Sequence, residues 1–434
     1  MQSKLALSLS TILLLGGSSL HALKFETLGY KSVSMGGAAV ASSAGSIATY
    51  NNPALLAKTP YGVEVSLGGG ISEYDHGAGA SIEKLDDVDF IDTLDRASQD
   101  VLTLTEEDKQ NLIEGKNIIV DMDGNAISLA PQAYLAAQVQ NFGFGLFGSS
   151  DSAATAVVDQ AHDQLIFENS FSPTGYSKID ESTLNLTNSS AADYTDYSIE
   201  YAVNNNLTYM DVTGVTLAEV PIAYGRNFET NIGNVMVGGA LKYMHALTYT
   251  ERMKIDNSDE DSGNDLKKDE QSSNFGIDLG LAYQPVFDYD LTFGLVAKNI
   301  NAPKFDFYDG GTYKIDPMVR AGVAYRILDS LEVAADIDLT SNKMLNEDLE
   351  SQMIGGGVNY EPFTDFFALS LRAGLMKNLD ANDKSDLIYT AGLGIGVKWF
   401  QVDLSGQMSG NKSTVDGTSI PQYAKVNLAL ISRW

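Results

Sequence analysis

The sequence predicts an all-β protein, a transmembrane antiparallel β-barrel of about 14 strands with an N-terminal plug inside its lumen. Three observations predict it: an export-type leader, period-two apolar alternation that recurs between alternately short and long connections, and a last strand ending on an aromatic residue.

The chain opens MQSKLALSLSTILLLGGSSLHALKF. Lys4 supplies a positive start, Leu5 to Leu15 form an apolar run of signal-peptide length, and Gly16 to Ser19 break it ahead of the small residue Ala22. Residues 1–22 therefore read as a cleaved signal peptide. A membrane anchor would need about 20 continuous apolar residues. Beyond the leader no apolar run is long enough for a spanning helix. The mean hydropathy of −0.09 suits a secreted soluble chain and equally a barrel, whose strands need only about 9–11 alternating residues.

Composition narrows the function classes. There is no cysteine, which excludes thiol chemistry and thiolate metal sites. A net charge of −29 would repel a phosphate backbone, so no nucleic-acid partner is expected. The 40 glycines and 21 tyrosines suit curved sheet and aromatic girdles at membrane interfaces.

The alternation is plainest in the second half. In residues 387–399, Leu387, Tyr389, Ala391, Leu393, Ile395, Val397 and Trp399 share one face; Ile388, Thr390, Gly392, Gly394, Gly396 and Lys398 share the other. Such a strand is about 40 Å long at 3.3 Å per residue, enough to cross a tilted barrel wall. In residues 318–340 two alternating runs flank Asp329. If that hairpin closes symmetrically, Arg326 faces Glu332 and Arg320 faces Asp338, with Asp336 on the same side. A Lys or Arg on the lipid face near the midplane costs about 2–4 kcal/mol, so Arg320, Arg326, Glu332, Asp336 and Asp338 are expected to face the lumen.

The same reading places strands near 61–74, 126–140, 142–158, 205–227, 232–254, 272–286, 289–303, 316–327, 330–341, 351–361, 366–377, 385–399, 400–409 and 422–434. Turns near Asn141, Thr230, Asp288, Asp329, Thr364 and Phe400 are short. The intervening loops are longer and acidic or Gly/Asn/Ser-rich, the usual division between periplasmic and outer sides. In the final strand Val426, Leu428, Leu430 and Trp434 share a face; this terminus looks like the signal read by the outer-membrane barrel assembly machinery, with outer-membrane lipid as the second expected partner. Residues 23–60, small-residue-rich and barely charged through their middle, suit a compact plug, a flexible leader being the plainer alternative. The barrel is expected to occupy 61–434.

At the plug the sequence resembles the FadL superfamily of outer-membrane transporters for hydrophobic molecules. The matching residues are Met35-Gly36-Gly37-Ala38-Ala39-Val40-Ala41 and Asn52-Pro53-Ala54-Leu55-Leu56-Ala57, which look like that family's hatch. The NPALLA run followed by an acidic helical stretch looks most like the branch labelled conjugal transfer protein TraF-like. The resemblance implies a bacterial outer-membrane protein for passive uptake of hydrophobic or amphipathic small molecules, fatty-acid-like or aromatic, without a cofactor. Gly36, Gly37, Asn52, Pro53 and Ala54 would belong to the gating plug, hinged around Asn52-Pro53-Ala54. Two alternatives stand beside it: a structural or assembly-linked barrel serving a conjugation or secretion apparatus, and a general porin.

Enzyme chemistry finds no support in motifs: His76, His162 and His245 are scattered without ligand spacing, so no catalytic or metal site is expected. Residues 256–265 are acidic, but their glycine falls one place early for an EF-hand counted from Asp259; a solvated loop is the plainer reading. Residues 82–118 read as helical within an outer loop at 75–125, with Thr105-Glu106-Glu107-Asp108 as a helix start. Phe142 to Phe147 give way to Gly148, Ser149, Ser150 and Asp151, and the next strand carries Pro221, which cannot donate to a ladder. Gly148, Ser149, Ser150 and Pro221 are therefore the expected site of a lateral opening between strands 3 and 4, a mere kink being the alternative. Continuous pairing at Ser149–Ser152 would defeat it.

Overall fold

The computed structural model describes residues 27–58, 62–254, 268–286, 290–343, 350–362, 367–379, 387–415 and 418–434. The expected signal peptide and the acidic loop 256–265 lie outside the described residues.

Period-two segments become strands because each can turn one face to lipid and the other inward. In chain order they are β1 (Val63–His76), β2 (Ala126–Val139), β3 (Phe142–Val157), β4 (Tyr209–Thr230), β5 (Gly233–Lys254), β6 (Lys268–Pro285) and β7 (Asp290–Lys298). The second half supplies β8 (Met318–Leu328), β9 (Leu331–Asp338), β10 (Met353–Tyr360), β11 (Phe367–Asn378), β12 (Ile388–Val397), β13 (Phe400–Ser409) and β14 (Tyr423–Arg433). Each pairs with the next, and β14 pairs with β1, closing a 14-stranded antiparallel barrel. The seam is finished by reciprocal backbone bonds, Val63 N to Trp434 O at 3.1 Å and Trp434 N to Val63 O at 2.9 Å. No helix among the described residues is long and apolar enough to cross a membrane.

Burial is inverted relative to a soluble protein. Leu393, Ile395, Leu404, Val426 and Leu428 are exposed, whereas Arg320, Asp338, Arg372, Asp403 and Asn427 are buried. An apolar outside over a polar inside is stable only if lipid covers the wall. Aromatic residues sit toward the short-turn ends, among them Phe142 against Tyr224 at 4.8 Å and the exposed Trp399 and Trp434, where amphipathic rings meet the membrane interface.

β4 and β5 are 22 residues each, about twice the 9–11 needed to cross. Their upper halves therefore stand outside the membrane. There Met210, Val212 and Tyr249 keep the outward parity of Val220, Ile222 and Tyr243 lower down, yet they are buried. A folded cap covers them from outside, made of the loops after β1 and β3.

Before β1 the chain forms a short helix α1 (Tyr30–Ser34), a 3-10 turn at Gly45–Ile47, α2 (Ala48–Asn51) and a 3-10 turn at Pro53–Ala57. The cap contributes α3 (Ala78–Asp87), α4 (Phe90–Asp100), α5 (Glu106–Asp121), a small sheet of Ile166–Glu168, Tyr176–Ile179 and Leu186–Asn188, then α6 (Ala191–Tyr197) and α7 (Ile199–Asn204). Thr105 and Asp108 form a reciprocal capping box on α5, and these bonds hold the Asp108 carboxyl below its ordinary value. Phe90, Leu112, Ile119 and Phe167 centre the cap core. Gly115 lets α5 approach α4, since a methyl group there would lie 2.0 Å from the Phe90 ring.

Several strand ends differ from expectation. The fourth strand begins at Tyr209 rather than 205, because α7 and a turn at Asn205–Asn206 use the preceding residues. The seventh stops at Lys298 rather than 303: Asn299 and Ala302 take positive φ (53° and 48°), and residues 304–306 and 312–314 pair as a separate hairpin.

Candidate functional site: the plugged lumen

Residues 27–58 fill the barrel and touch all fourteen strands. On one half of the wall the contacts are polar and charged. Glu64 of β1 accepts from Ser46 N at 2.8 Å and pairs with Arg433 of β14 at 2.9 Å; that guanidinium also donates to the Tyr30 hydroxyl at 2.9 Å. Lys31 pairs with Glu332 of β9 at 2.7 Å. The Asp336 carboxylate accepts from two consecutive plug amides, Ala39 N at 2.7 Å and Val40 N at 2.9 Å, the arrangement of an anion nest. Thr390 of β12 accepts from Gly36 N at 3.0 Å, and Gln407 of β13 donates to Val33 O at 2.8 Å.

The other half is apolar and close. Ala48, Ala54, Leu55 and Leu56 pack on Ala223, Met236, Ala240 and Ala282. The approach depends on inward glycines in the wall. A methyl group on Gly238 would lie 2.3 Å from the Pro53 carbonyl carbon, one on Gly225 2.5 Å from the Pro53 oxygen, and one on Gly280 2.1 Å from Asn52 Oδ1. Across the barrel, one on Gly374 would lie 2.6 Å from Gly36 N. Gly36 itself requires its hydrogen: its φ is +63°, and a Cβ would sit 2.3 Å from Leu375 O.

The expected plug residues Gly36, Gly37, Asn52, Pro53 and Ala54 all lie in this interface. Asn52 is completely buried; it accepts from Ala54 N at 3.1 Å and donates to Val40 O at 2.8 Å and Leu281 O at 3.3 Å. The expected hinge at Asn52-Pro53-Ala54 is thus clamped between the plug and the wall in this structure. Of the wall charges, Arg320 stands opposite Asp338 and Arg326 opposite Glu332. Arg320 binds Asp338 at 2.6 Å, while the Arg326 guanidinium lies 3.8 Å from Glu332 and 3.6 Å from Asp290. All five share the inward face with Asp336. Val426, Leu428, Leu430 and Trp434 point outward and are exposed.

The β3–β4 ladder is unbroken at Gly148, Ser149 and Ser150, where a lateral opening was expected. Pairing of β3 with β4 is continuous from Phe147↔Glu219 to Val157↔Tyr209, so Gly148, Ser149 and Ser150 are all in the ladder. The interruption on that side falls lower, at Gly145 and Leu146 opposite Val220 and Pro221. A second lies on the other side of β3, where Ala130 and Pro131 fail to pair with Ser150 and Asp151. Each gap contains a proline, which lacks the ladder donor.

The three histidines are apart. His76 lies against Tyr74 in the wall with ring centroids 3.9 Å apart, His162 lies 3.2 Å from Asp159 in the cap, and His245 contacts Ser273 on the outer face. Among the described residues no group of three acidic or His side chains could hold a metal ion. A groove of about 480 Å³ on the cap runs along α5; Ile113, Ile118 and Leu184 line it together with Glu114, Asp121 and Glu181, a mixed lining unlike a greasy channel.

Sequence reasoning missed two buried ion clusters. Arg372 and Asp403, both fully buried, pair directly, and Arg372 also donates to Asn359 at 3.1 Å. Lys242 bridges Glu219 at 2.7 Å and Asp278 at 3.1 Å. The available signal was a charge at inward parity in an otherwise lipid-compatible strand.

A closed barrel with an apolar exterior and a filled lumen defines an outer-membrane-type β-barrel. The chain belongs to the family described as F plasmid transfer operon, TraF, protein, whose model matches residues 49–338, and its architecture is FadL-like. Among solved structures it is similar to the TodX deltaS2S3 mutant monoaromatic hydrocarbon channel, at 13% identity over 94% of this chain and 99% of that one, with a TM-score of 0.50. It is also similar to the Ralstonia pickettii toluene transporter TbuX, at 13% identity over 95% and 100% with a TM-score of 0.49, and to a Pseudomonas aeruginosa FadL homologue, at 10% over 96% and 99% with a TM-score of 0.47. None of the curated proteins matches the chain.

Proposed function

We propose that the protein is a channel of the bacterial outer membrane for passive uptake of hydrophobic or amphipathic small molecules, with residues 27–58 as its gate. The observation that carries this reading is the plug's contact with every strand: a lumen filled in this way is not a standing aqueous pore, and a solute crosses only when the plug shifts. The similarity to channels described as carrying monoaromatic hydrocarbons supports the substrate class, as does the apolar wall into which a hydrophobic molecule can be delivered. The proposed sideways exit lies at β3, between its two proline-containing interruptions.

The test is uptake of toluene and long-chain fatty acids by proteoliposomes, with full-length protein and with residues 23–57 deleted. Full-length protein is expected to exceed empty liposomes, and the deletion to admit polar solutes as well. Equality with empty liposomes would remove the transport reading. In the same assay Pro131→Val with Pro221→Val, which restores two ladder donors, is expected to slow uptake; an unchanged rate would take β3 out of the path.

A second reading, service to a conjugation or secretion apparatus, is favoured by the family's description. Gene neighbours from a transfer operon, together with normal uptake by cells lacking the gene, would support it over transport.

Trp434 lies outward and exposed at the end of the final strand, where the assembly machinery can read it. Trp434→Ala is expected to reduce folded barrel in cell membranes severalfold while leaving refolding in detergent unchanged. Equal loss in both settings would make the residue merely structural.

A further inference from the structure

The inner wall above the plug carries an apolar patch that the functional reading does not yet use. Val215 and Leu217 of β4 and Met244 and Ala246 of β5 point inward and are almost wholly buried. Beneath them lies the Lys242–Glu219–Asp278 cluster, so the patch is an apolar seat on an ionic floor. Its cover is the hairpin segment 304–315: Phe305 and Ile315, each 1% exposed, pack directly into it, with Tyr313 against them.

The hairpin is fastened unlike a barrel strand. β7 pairs with β6 only as far as Ala297↔Leu279. Above that, one backbone bond, Ile300 N to Ile277 O at 3.0 Å, is followed by side-chain bonds. Asn301 donates to Phe275 O at 2.7 Å, Asn274 donates to Lys304 O at 2.8 Å, and Ser272 Oγ accepts from Asp306 N at 2.8 Å. These groups border the mouth, where water can replace each partner at little net cost. The hairpin holds together by itself through its pairs Lys304↔Lys314 to Asp306↔Thr312 and the bond from Ile315 N to Pro303 O at 2.9 Å. At its base Asn299 and Ala302 sit in left-handed backbone, a conformation that costs a non-glycine residue free energy and favours release.

We propose that the Val215–Leu217–Met244–Ala246 patch is a binding seat for a monocyclic aromatic molecule, and that Phe305 occupies it as a built-in stand-in which such a molecule displaces. The seat already accommodates a benzyl group, which sets the ligand's size and apolar character. The inference rests on the uptake reading and makes it specific.

The absence of native cysteine permits a clean lock. Ser272→Cys with Asp306→Cys pins the hairpin to β6 when oxidised and frees it when reduced. The probe is toluene, whose ring and methyl reproduce the Phe305 side chain, measured by equilibrium dialysis against full-length protein with protein-free micelles subtracted. The oxidised form is expected to lose toluene binding and the reduced form to regain it. Phe305→Ala with Ile315→Ala is expected to bind about tenfold tighter, because the competing occupant is gone. Equal binding by oxidised and reduced protein, with uptake intact, would overturn the seat and leave the uptake reading standing. No binding and no uptake by any form would overturn both.

Discussion

Alanine at Gly225 and Gly238 together is expected to unseat the plug while the barrel still forms. Both added methyl groups would collide with the same peptide, the Pro53 carbonyl, at 2.5 and 2.3 Å. That atom is backbone, so no rotamer change relieves the clash, and overpacking of this kind costs about 1–3 kcal/mol per site. Neither glycine has the positive φ that would bar a side chain, and alanine in a strand is favoured over glycine by roughly 0.5–1 kcal/mol. The wall therefore gains slightly while the plug loses its seat. In planar bilayers the double variant should show conductance well above wild type, and trypsin should reach Lys31, now held against Glu332. Gly239→Ala is the control: that residue faces outward, with its nearest neighbours at 3.5 Å, and it should change neither readout. A silent double variant would mean that the plug can withdraw from this wall without opening a path.

Leucine in place of Arg372 is expected to cost about 3–5 kcal/mol, because it leaves the Asp403 carboxylate buried without a counter-charge; leucine in place of Asp403 is expected to cost less, because Arg372 keeps Glu361 at 3.5 Å. Both side chains are 0% exposed. The Arg372 guanidinium also lies 5.0 Å from the Tyr30 ring centroid, so its loss should loosen α1 as well as the wall. The double variant should recover much of the loss, since two leucines of adequate volume need no counter-charge. Unfolding in lipid vesicles, read from the mobility difference between folded and unfolded barrel on gels, would measure all three. Additive single losses in the double variant would show that the two residues do not act as a pair.

The two experiments probe different halves of one interface. Ionic and hydrogen-bonded anchors hold the plug to β1, β9 and β12–β14, where a competing charge or water could weaken them. Close glycine-lined contact, with one hydrogen bond from Asn52 to Leu281 O, holds it to β4–β6, where a volume change matters most.

Much of the architecture was legible in the residues because it depends on local periodicity. Alternation as in Leu393-Gly394-Ile395-Gly396 assigns each side chain to lipid or lumen without knowledge of the neighbouring strand. It also located most strand ends to within a few residues. Even the register of one hairpin was readable, since Arg320 and Arg326 can be neutralised by Asp338 and Glu332 only in one alignment across Asp329. The helix start at Thr105 was equally local, a cap and its acidic first turn.

What tertiary structure alone decided involves residues brought to the same height by barrel closure. Parity places Asp403, Arg372, Lys242 and Asp278 inside, but only the stagger of the closed sheet makes pairs of them. The seat of Pro53 between Gly225 and Gly238, the nest that Ala39 and Val40 present to Asp336, and the hairpin that brings Phe305 to Leu217 all join segments far apart in the chain. The interruptions beside β3 followed the same rule: Pro221 was visible as a missing donor, yet which residues it failed to bond depended on the register, and the gap at Pro131 emerged only from the closed sheet. A sequence read strand by strand thus determines that this chain is a barrel, which face of each strand meets lipid, and that something small-residued precedes the wall. How that segment is locked in the lumen, and where the wall is weak, depend on contacts between residues whose separation only the closed fold removes.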